Sequence, residues 1–259
     1  MSKLQGQRAI VTGASGGVGR ALAVRLAKAG VSSVLVARRE EPLFESVRLV
    51  EAAGGRAIPI VGDVTSVETR ARALDAARDQ LGGLDIVINN AGVGAHGRFH
   101  ESNPESLRAI FELNVFAAAD LTREAIPLLR QSPAACVANV GSVLAWRGVP
   151  QTAEYCASKF ALRGLSESIR PELRKLGVHV LHASPSTIAT DFRDNLVERR
   201  NELAWSGRRG VAPEKVADRI VQGIERRQNE VAILWEDWWI VRGARFVPWL
   251  FDWALRRHG

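Results

Sequence analysis

The chain has 259 residues, of which 46% are hydrophobic and 24% are charged, and its formal net charge is +7. This composition is typical of a globular protein and excludes a long disordered or low-complexity chain. The sequence has no uncharged apolar run of about 18 residues, so we expect no membrane-spanning helix, and its N-terminus does not resemble a signal peptide. Two cysteines, Cys136 and Cys156, are too few for a disulfide framework, and we therefore expect a cytoplasmic protein.

Short β-branched runs alternate with amphipathic helical stretches along the whole chain. Seven strands are predicted, in the runs RAIVTG, SVLVARR, RAIPIVGDV, LDIVINNAG, ACVANVGS, VHVLHASP and EVAILW. Helices are predicted between them, at 17–29, 41–53, 67–81, 104–129, 152–176 and 213–227. No linker or repeat divides the chain, so we expect one α/β domain over residues 1–259. Its parallel sheet would be covered by helices on both faces and would bind ligands at the carboxyl ends of its strands.

The first predicted strand leads directly into a glycine-rich turn, TGASGGVGR, which opens the first predicted helix. Glycines allow the backbone to turn sharply and to approach a pyrophosphate at the helix N-terminus, where free N–H groups favour anions. A plain tight turn is the alternative, but the position between a strand and a helix favours a nucleotide. The cofactor contacts predicted in this turn are Gly13, Ser15, Gly16, Gly17, Val18 and Gly19.

The second predicted strand ends in two arginines, Arg38 and Arg39, with no carboxylate before Glu40. An acidic residue at this position would bind the adenosine ribose and repel a 2′-phosphate, whereas the planar arginine fork suits a phosphate. We therefore expect a preference for NADP(H), with NAD(H) as the alternative cofactor. After the third strand, Asp63 is placed to accept a hydrogen bond from adenine and Val64 follows it. A turn-capping role for Asp63 is the competing interpretation.

The run YCASK places Lys159 one helical turn after Tyr155, on the same face of a predicted helix. A free phenol has a pKa near ~10, and a neighbouring cation would lower this pKa towards the range of an acid/base catalyst. By itself the pair is a weak signal, because the same spacing occurs by chance in many helices.

Four motifs together resemble those of the short-chain dehydrogenase/reductase superfamily. They are TGASGGVG, NNAG, a serine thirteen residues before Tyr155, and YCASK, and they occur in the family's order and at its spacing. The resemblance extends from about Arg8 to Val231. It implies a Rossmann-type doubly wound parallel sheet of seven strands, a nicotinamide cofactor, and hydride transfer to or from a carbonyl or secondary alcohol.

The resemblance also implies roles for individual residues. Tyr155 resembles the general acid/base, and Lys159 resembles the lysine that lowers its pKa and holds the nicotinamide ribose. Ser142 matches the serine that orients the substrate carbonyl, and Asn114 matches the asparagine that holds a water of the proton relay. Further cofactor contacts are implied for Asn90, Ala91, Gly92, Tyr155, Lys159, Pro185, Ile188 and Thr190. No metal-ligand spacing and no G-x-S-x-G elbow supports another chemistry.

One position departs from the family pattern. In SPSTIATDF, Ser186 follows Pro185 where the family has glycine. A serine would restrict this turn if its φ were positive.

Residues 190–212 occupy the position of the family's substrate lid. Their arginines are mixed with large apolar side chains, which indicates an apolar substrate under a charged outer surface; a solvated amphipathic helix would give the same pattern. The apolar residues are Phe192, Leu196, Leu203 and Trp205.

The C-terminal tail, residues 236–259, is rich in aromatic residues and ends in basic ones. Packing of the tail at the substrate pocket or at a subunit interface is the favoured interpretation, because tryptophan is enriched at interfaces. Peripheral membrane contact is the alternative, since aromatic rings and cations also suit a lipid headgroup region. The tryptophans in or next to the tail are Trp235, Trp238, Trp239, Trp249 and Trp253.

The sequence thus predicts an NADP(H)-dependent oxidoreductase that acts on an apolar carbonyl or secondary alcohol, such as a ketone or a steroid-like or lipid-like molecule. The family implies a homodimer or homotetramer. The arginines form no aromatic-interleaved stripe, so we expect no nucleic-acid partner. A non-catalytic NADP-binding sensor or scaffold on the same fold is the alternative. The complete set of Ser142, Tyr155, Lys159 and Asn114 favours the enzyme, because a sensor has no need of an acid/base.

Overall fold

A computed structural model describes residues 2–190, 192, 195–200, 210–246 and 249. Its central sheet contains seven parallel strands in the order β3-β2-β1-β4-β6-β7-β9. These strands are β1 (Arg8–Thr12), β2 (Ser32–Ala37), β3 (Ala57–Val61), β4 (Ile86–Asn89), β6 (Cys136–Val140), β7 (His179–Ser184) and β9 (Glu230–Ala232). All seven predicted strands are confirmed. Two short strands that were not predicted, β5 (Ala95–His96) and β8 (Glu198–Arg199), pair in parallel outside this sheet.

Eight α-helices occur within the described residues. They are α1 (Gly17–Lys28), α2 (Glu40–Ala52), α3 (Val67–Leu81), α4 (Pro104–Phe111), α5 (Ala117–Leu129), α6 (Ala153–Arg174), α7 (Pro213–Glu225) and α8 (Trp235–Phe246). The predicted helix over 104–129 is interrupted by a π-helical turn, Glu112–Phe116, that separates α4 from α5. Helix α8, in the aromatic tail, was not predicted, because Gly243 and Pro248 obscure its pattern.

The local sequence explains several of the helix boundaries. Ser66 caps α3 by accepting a hydrogen bond from the Thr69 N–H at 3.3 Å, and Gly82 ends the helix in the left-handed conformation with φ 79°. Asn103 caps α4 through the Glu105 N–H at 2.9 Å, with Pro104 at the first helical position. Helices α3 and α4 therefore begin where a side chain satisfies a terminal backbone N–H group.

Apolar side chains fill both faces of the sheet. Helices α1, α2 and α7 cover one face, with Leu22, Leu43 and Ile220 fully buried there. Helices α3, α5 and α6 cover the other, where Leu121 and Leu173 lie in the core. Strands buried on both sides need continuous apolar runs, and this is the pattern the sequence shows. The structure confirms the predicted doubly wound, Rossmann-type sheet.

The topology fixes where a ligand can bind. Strand β1 lies between β2 and β4, so the chain leaves β1 towards one edge of the sheet and leaves β4 towards the other. Such a reversal opens a crevice at the carboxyl ends of the two strands, and this crevice is the usual ligand position in an open α/β sheet. Within the described part of the chain, no helix has the length and apolarity needed to span a bilayer.

Candidate active site

The glycine turn after β1 is shaped by close backbone approaches. Gly13 has a φ of +67°, and a Cβ added there would lie 2.9 Å from Ala91 Cα. A Cβ on Gly19 would lie only 2.1 Å from the Gly13 carbonyl oxygen. Helix α1 begins at Gly17 and has no acidic residue in its first turn. The turn therefore leaves the free N–H groups of α1 available to an anion, as a dinucleotide pyrophosphate requires.

Residues after β4 hold this turn in place. The Asn90 side chain donates to the carbonyl oxygens of Thr12 at 2.9 Å and of Gly13 at 3.3 Å. The Thr12 hydroxyl accepts the backbone N–H groups of Asn90 and Ala91, both at 3.0 Å. Asn90 thus stabilises the glycine turn through the backbone carbonyl groups. Thr12 also holds this turn to the residues after β4. It was not identified from the sequence, because a threonine at the end of a strand is not distinctive in sequence.

Two arginines and an aspartate lie at the ends of β2 and β3. Arg39 Nη2 donates to the Ser15 hydroxyl at 3.3 Å and also lies 3.3 Å from the position of a Cβ on Gly16. Arg38 is largely exposed and lies 3.5 Å from Asp63 Oδ2. Asp63 Oδ1 accepts the N–H and hydroxyl of Thr65, at 3.0 and 2.9 Å, so the turn-capping interpretation applies to that oxygen.

Two of the predicted cofactor residues have their side chains in the core. Val18 packs among the apolar residues of one sheet face and Val64 among those of the other. Their side chains therefore serve packing, which leaves only their backbone groups for the predicted cofactor contacts.

Ser142 and Tyr155 meet at the carboxyl edge of the sheet. Ser142 follows β6 and accepts the Leu144 N–H at 3.1 Å, which begins the 3₁₀ turn Val143–Ala145. Tyr155 lies in the first turn of α6 and is partly exposed. Desolvation raises the pKa of its phenol to about 12, and a hydrogen bond from the Ser142 hydroxyl opposes this rise. The two hydroxyls are therefore close enough to act on one substrate oxygen.

Lys159 lies beside Tyr155, but its hydrogen bond goes elsewhere. Its ammonium is 5.6 Å from the centroid of the Tyr155 ring and donates to the Val140 carbonyl at 2.9 Å. Burial lowers the pKa of Lys159 to about 8. Desolvation is the largest influence on the phenol pKa, and the lowering by Lys159 that the family resemblance implies stays a prediction. The buried cation still faces the crevice near Gly92, where a Cβ would lie 3.5 Å from its Nζ.

The π-helical turn between α4 and α5 fixes Asn114. Its amide accepts the Val93 N–H and donates to the Val93 carbonyl, each at 2.9 Å, and also donates to the Ser158 hydroxyl at 2.9 Å. Ser158 in turn donates to the Tyr155 carbonyl at 2.8 Å. Asn114 is thus linked to the backbone of the helix that carries Tyr155. Ser158 was not identified from the sequence as part of this network, although it lies inside the YCASK motif. The π-helical turn at Asn114 is itself a feature that often marks functional positions.

The loop after β7 adjoins the other side of the crevice. The Pro185 carbonyl accepts the Val143 N–H at 3.0 Å, so this loop is fixed directly to the residue after Ser142. Farther along, Ile188 packs against the core, and Thr190 Cγ2 lies 3.0 Å from the position of a Cβ on Gly17. The loop therefore reaches from the serine to the glycine turn.

Ser186, the position that departs from the family, has no positive φ. The restriction considered from the sequence therefore does not arise. Its hydroxyl instead interacts with Asp237 in the first turn of α8, a buried carboxylate that also accepts the Leu234 N–H at 2.9 Å. Burial raises the pKa of Asp237, and these hydrogen bonds oppose the rise. Ser186 thus connects the tail helix to the loop after β7.

Apolar side chains from the predicted lid approach Tyr155. The Phe192 and Tyr155 ring centroids are 5.6 Å apart. A Cβ on Gly94 would lie 3.3 Å from Tyr155 Cδ2, 3.4 Å from Leu196 Cδ2 and 3.5 Å from Phe192 Cε1. These residues form an apolar wall next to the phenol. Leu203 and Trp205, also predicted in this segment, lie outside the described residues.

The aromatic tail exposes several of its rings. Trp235, Trp239 and Trp249 are 71%, 59% and 68% exposed, and Phe246 is 73% exposed. Trp253 lies outside the described residues. Helix α8 packs against the 3₁₀ turn that follows Ser142, which places the beginning of the tail near the candidate site.

Comparisons with known proteins identify the family of the chain. A family model described as short chain dehydrogenase matches residues 7–201. The chain is 31% identical over 235 residues to the ketoacyl reductase HetN of Nostoc sp., and the match covers 90% of this chain and 80% of that protein.

Solved structures show the same fold. A short chain dehydrogenase/reductase from Burkholderia phymatum in complex with NAD superposes with a TM-score of 0.86 at 28% identity, covering 96% of both chains. A short chain dehydrogenase from Burkholderia cenocepacia in complex with NADP gives a TM-score of 0.82 at 28% identity, covering 99% of both chains. The family model spans more than half of the chain, and the chain therefore belongs to the short-chain dehydrogenase/reductase family of oxidoreductases.

Proposed function

We propose that this chain is an NADP(H)-dependent oxidoreductase that transfers hydride between nicotinamide and an apolar carbonyl or secondary alcohol. One observation carries this proposal: the Ser142 hydroxyl lies near enough to the Tyr155 phenol, at the carboxyl edge of the sheet, to lower the pKa of that phenol against the effect of desolvation. A bound nicotinamide would supply or accept the hydride. The chain's own residues would manage the oxygen and the proton.

In the reducing direction the substrate oxygen becomes anionic. A hydrogen bond from Ser142 stabilises this charge, and Tyr155 supplies the proton. With a pKa of about 12, the phenol is protonated at neutral pH and can donate. Lys159 places a buried cation near the phenol after proton transfer, and Asn114 holds the backbone at Val93 beside it. These four residues are the proposed catalytic and positioning groups.

The residues of the crevice fit a dinucleotide. Side chains at Gly13 and Gly19 would collide with neighbouring atoms of the protein, so glycine keeps the turn tight, and the N-terminus of α1 favours the charge of a pyrophosphate. Arg39 lies over the turn at Ser15, and Arg38 is exposed at the end of β2. Two guanidinium groups at this edge support a contact with a 2′-phosphate and hence NADP(H). The two solved relatives contain different cofactors and do not decide this choice.

The apolar wall of Phe192, Leu196 and the Tyr155 ring supports an apolar substrate. The relative named ketoacyl reductase supports a carbonyl as the reacting group. We further propose a homodimer or homotetramer, which light scattering would test. Vesicle co-sedimentation, with and without residues 236–259, would show whether the exposed tail instead contacts lipid.

The reaction is tested with a panel of ketones and NADPH, comparing the native chain with Tyr155→Phe. Loss of the phenol proton should lower turnover by roughly 10²–10⁴-fold while NADPH still binds. Unchanged turnover would contradict the role of Tyr155, and NADPH binding without turnover of any ketone by the native chain would favour a sensor. Because Tyr155 is the chain's only tyrosine, tyrosinate absorbance reports its ionisation directly.

Cofactor choice is tested by Arg38→Asp. Removing a charge-assisted contact and adding a repulsive charge should weaken NADPH binding by roughly tenfold or more while leaving NADH binding nearly unchanged. Arg48→Asp, on the exposed side of α2, changes the net charge equally and is the matched control. Equal losses for both cofactors in the Arg38 variant would argue against a phosphate contact.

A further inference from the structure

A buried ion-pair network joins the helix that carries Tyr155 to residues 195–200, which we call the covering segment. We propose that Glu154 and Arg200 are positioning residues, whose ion pair fixes the covering segment against Tyr155 and thereby sets the size of apolar substrate that the site accepts. The inference rests on the function proposed above, because it concerns the substrate wall of the same site.

The central contact is a buried charge pair. Arg200 Nη2 lies 3.0 Å from Glu154 Oε1, and the two side chains are 8% and 0% exposed. The same guanidinium places Nη1 2.9 Å from Glu198 Oε2, and Nη2 also donates to the Gly97 carbonyl at 3.3 Å. Arg200 thus holds three separate parts of the chain around one planar group.

Backbone hydrogen bonds place the covering segment beside the loop after β4. The Val197 N–H donates to the Gly94 carbonyl, and the Arg200 N–H donates to the His96 carbonyl, each at 2.8 Å. Strands β5 and β8 pair between these two bonds. Leu196, next to Val197, reaches the point where Tyr155 and Phe192 converge on Gly94.

Close packing leaves little freedom at the arginine. A Cβ on Gly97 would lie 2.4 Å from Arg200 Cβ and 2.5 Å from its Nε. Glu198 is held from the other side, because its Oε2 accepts the Ser106 hydroxyl of α4 at 2.7 Å. The covering segment is therefore attached at its end to α4, to α6 and to the loop after β4.

Stability alone does not account for this arrangement. Burying an ion pair carries a desolvation cost that often cancels its attraction, and an apolar pair of similar volume is frequently as stable. Glu154 Oε2 and Arg200 Nε also have no hydrogen-bond partner among the described residues, which adds to that cost. Glu154 directly precedes Tyr155, so a group bound to this carboxylate is fixed relative to the phenol. We therefore infer that the ion pair serves to fix the position of the covering segment relative to Tyr155.

The test is a double-mutant cycle on Glu154→Gln and Arg200→Met. The KM of each variant is measured for cyclohexanone and for the larger, two-ring ketone trans-decalone. Each single variant should raise the KM for decalone by roughly tenfold relative to that for cyclohexanone, because a displaced wall affects the larger substrate first. NADPH affinity should change less than twofold, within the range expected for distant sites. The double variant should lose no more than either single variant, because the two residues act as one unit.

A control pair and a second measurement separate the effect of the Glu154–Arg200 ion pair from general effects on the protein. Glu105→Gln and Arg108→Met remove an exposed Glu–Arg pair on α4, and they should leave the KM ratio unchanged. Hydrogen exchange at the Val197 and Arg200 amides should become faster in the Glu154 and Arg200 variants. This measurement needs no turnover, so it tests the role of the ion pair even if the proposed reaction is wrong.

A lower melting temperature with an unchanged KM ratio and unchanged amide exchange would overturn the proposal and leave a purely structural pair. If Arg200→Met does not fold, Arg200→Lys is measured in its place. Lysine keeps the positive charge but lacks the planar guanidinium that contacts both Glu154 and Glu198. Partial rescue by lysine is the expected result.

Discussion

The proposed cofactor side and the proposed substrate side of the crevice are constructed in different ways. On the cofactor side, the turn after β1 is defined by absent side chains and by backbone hydrogen bonds, as at Gly19 and at Thr12 with Asn90. On the substrate side, the wall is defined by side chains that come together from distant parts of the chain. Arg200 and Glu154, for example, are separated by 46 residues in sequence.

This difference fits what each side is proposed to bind. A pyrophosphate has a constant shape, so a backbone turn with fixed N–H groups suits it, and one added methyl group disturbs it. A substrate wall must select substrates of one size and polarity, and side chains can differ in size and polarity to provide this selectivity. Changes on the cofactor side should therefore abolish binding, whereas changes on the substrate side should shift selectivity or pH dependence.

The largest effect is expected at Gly19. Gly19→Ala places a Cβ 2.1 Å from the Gly13 carbonyl oxygen, so the turn must move and NADPH affinity should fall roughly a hundredfold or more. Gly164→Ala is the matched control, because no atom lies within 4 Å of its added Cβ in the middle of α6. The control should keep NADPH affinity and gain about 0.5–1 kcal/mol of stability.

Fluorescence titration with NADPH and thermal unfolding measure these two quantities. Equal NADPH affinity in the Gly19 and Gly164 variants would remove the distinction between the two sides, since it would show that the turn tolerates a side chain.

An intermediate effect is expected at Lys159, where function opposes stability. Burial lowers the Lys159 pKa from 10.5 to about 8, which corresponds to a cost on the order of 3 kcal/mol at about 1.4 kcal/mol per pKa unit. Lys159→Met should therefore raise the free energy of unfolding at pH 7 and abolish turnover. Between pH 8 and 10.5 the unfolded chain binds a proton that the folded protein has released, so the native chain gains stability as the pH rises.

Urea unfolding of both proteins across this pH range measures the effect. The advantage of the variant should be greatest below pH 8 and should shrink by pH 10.5. A stability difference that is independent of pH would show that the lysine is not buried as a cation.

The smallest effect is expected at Ser186. Ser186→Ala removes the hydroxyl that faces Asp237 and should cost about 1 kcal/mol of unfolding free energy. Ser186→Gly restores the family residue and should cost a few tenths of a kcal/mol more, because it adds backbone freedom to the unfolded chain. Urea unfolding measures both losses. A more stable glycine variant would show that the serine is strained in this loop.

Prediction from the sequence succeeded where local pattern decides structure. The seven strands follow from apolar β-branched runs, and the turn at Gly13–Gly19 follows from its position between a strand and a helix. It failed where a contact depends on another part of the chain. The short strands β5 and β8 have two residues each and no periodicity to detect. The pattern of α8 is obscured by Gly243 and Pro248, and the contact of Asp237 in its first turn joins it to the loop before it.

The sequence by itself determined the doubly wound sheet and the glycine turn, because apolar periodicity and turn residues act over short stretches of chain. It predicted the serine, tyrosine and lysine set through the resemblance to a known family. Only the tertiary structure decided which carboxylate meets Arg200, that Lys159 donates to Val140, and that Ser186 faces the tail helix. Those contacts join side chains that are distant in sequence, and their partners become neighbours only when the sheet and its helices have packed.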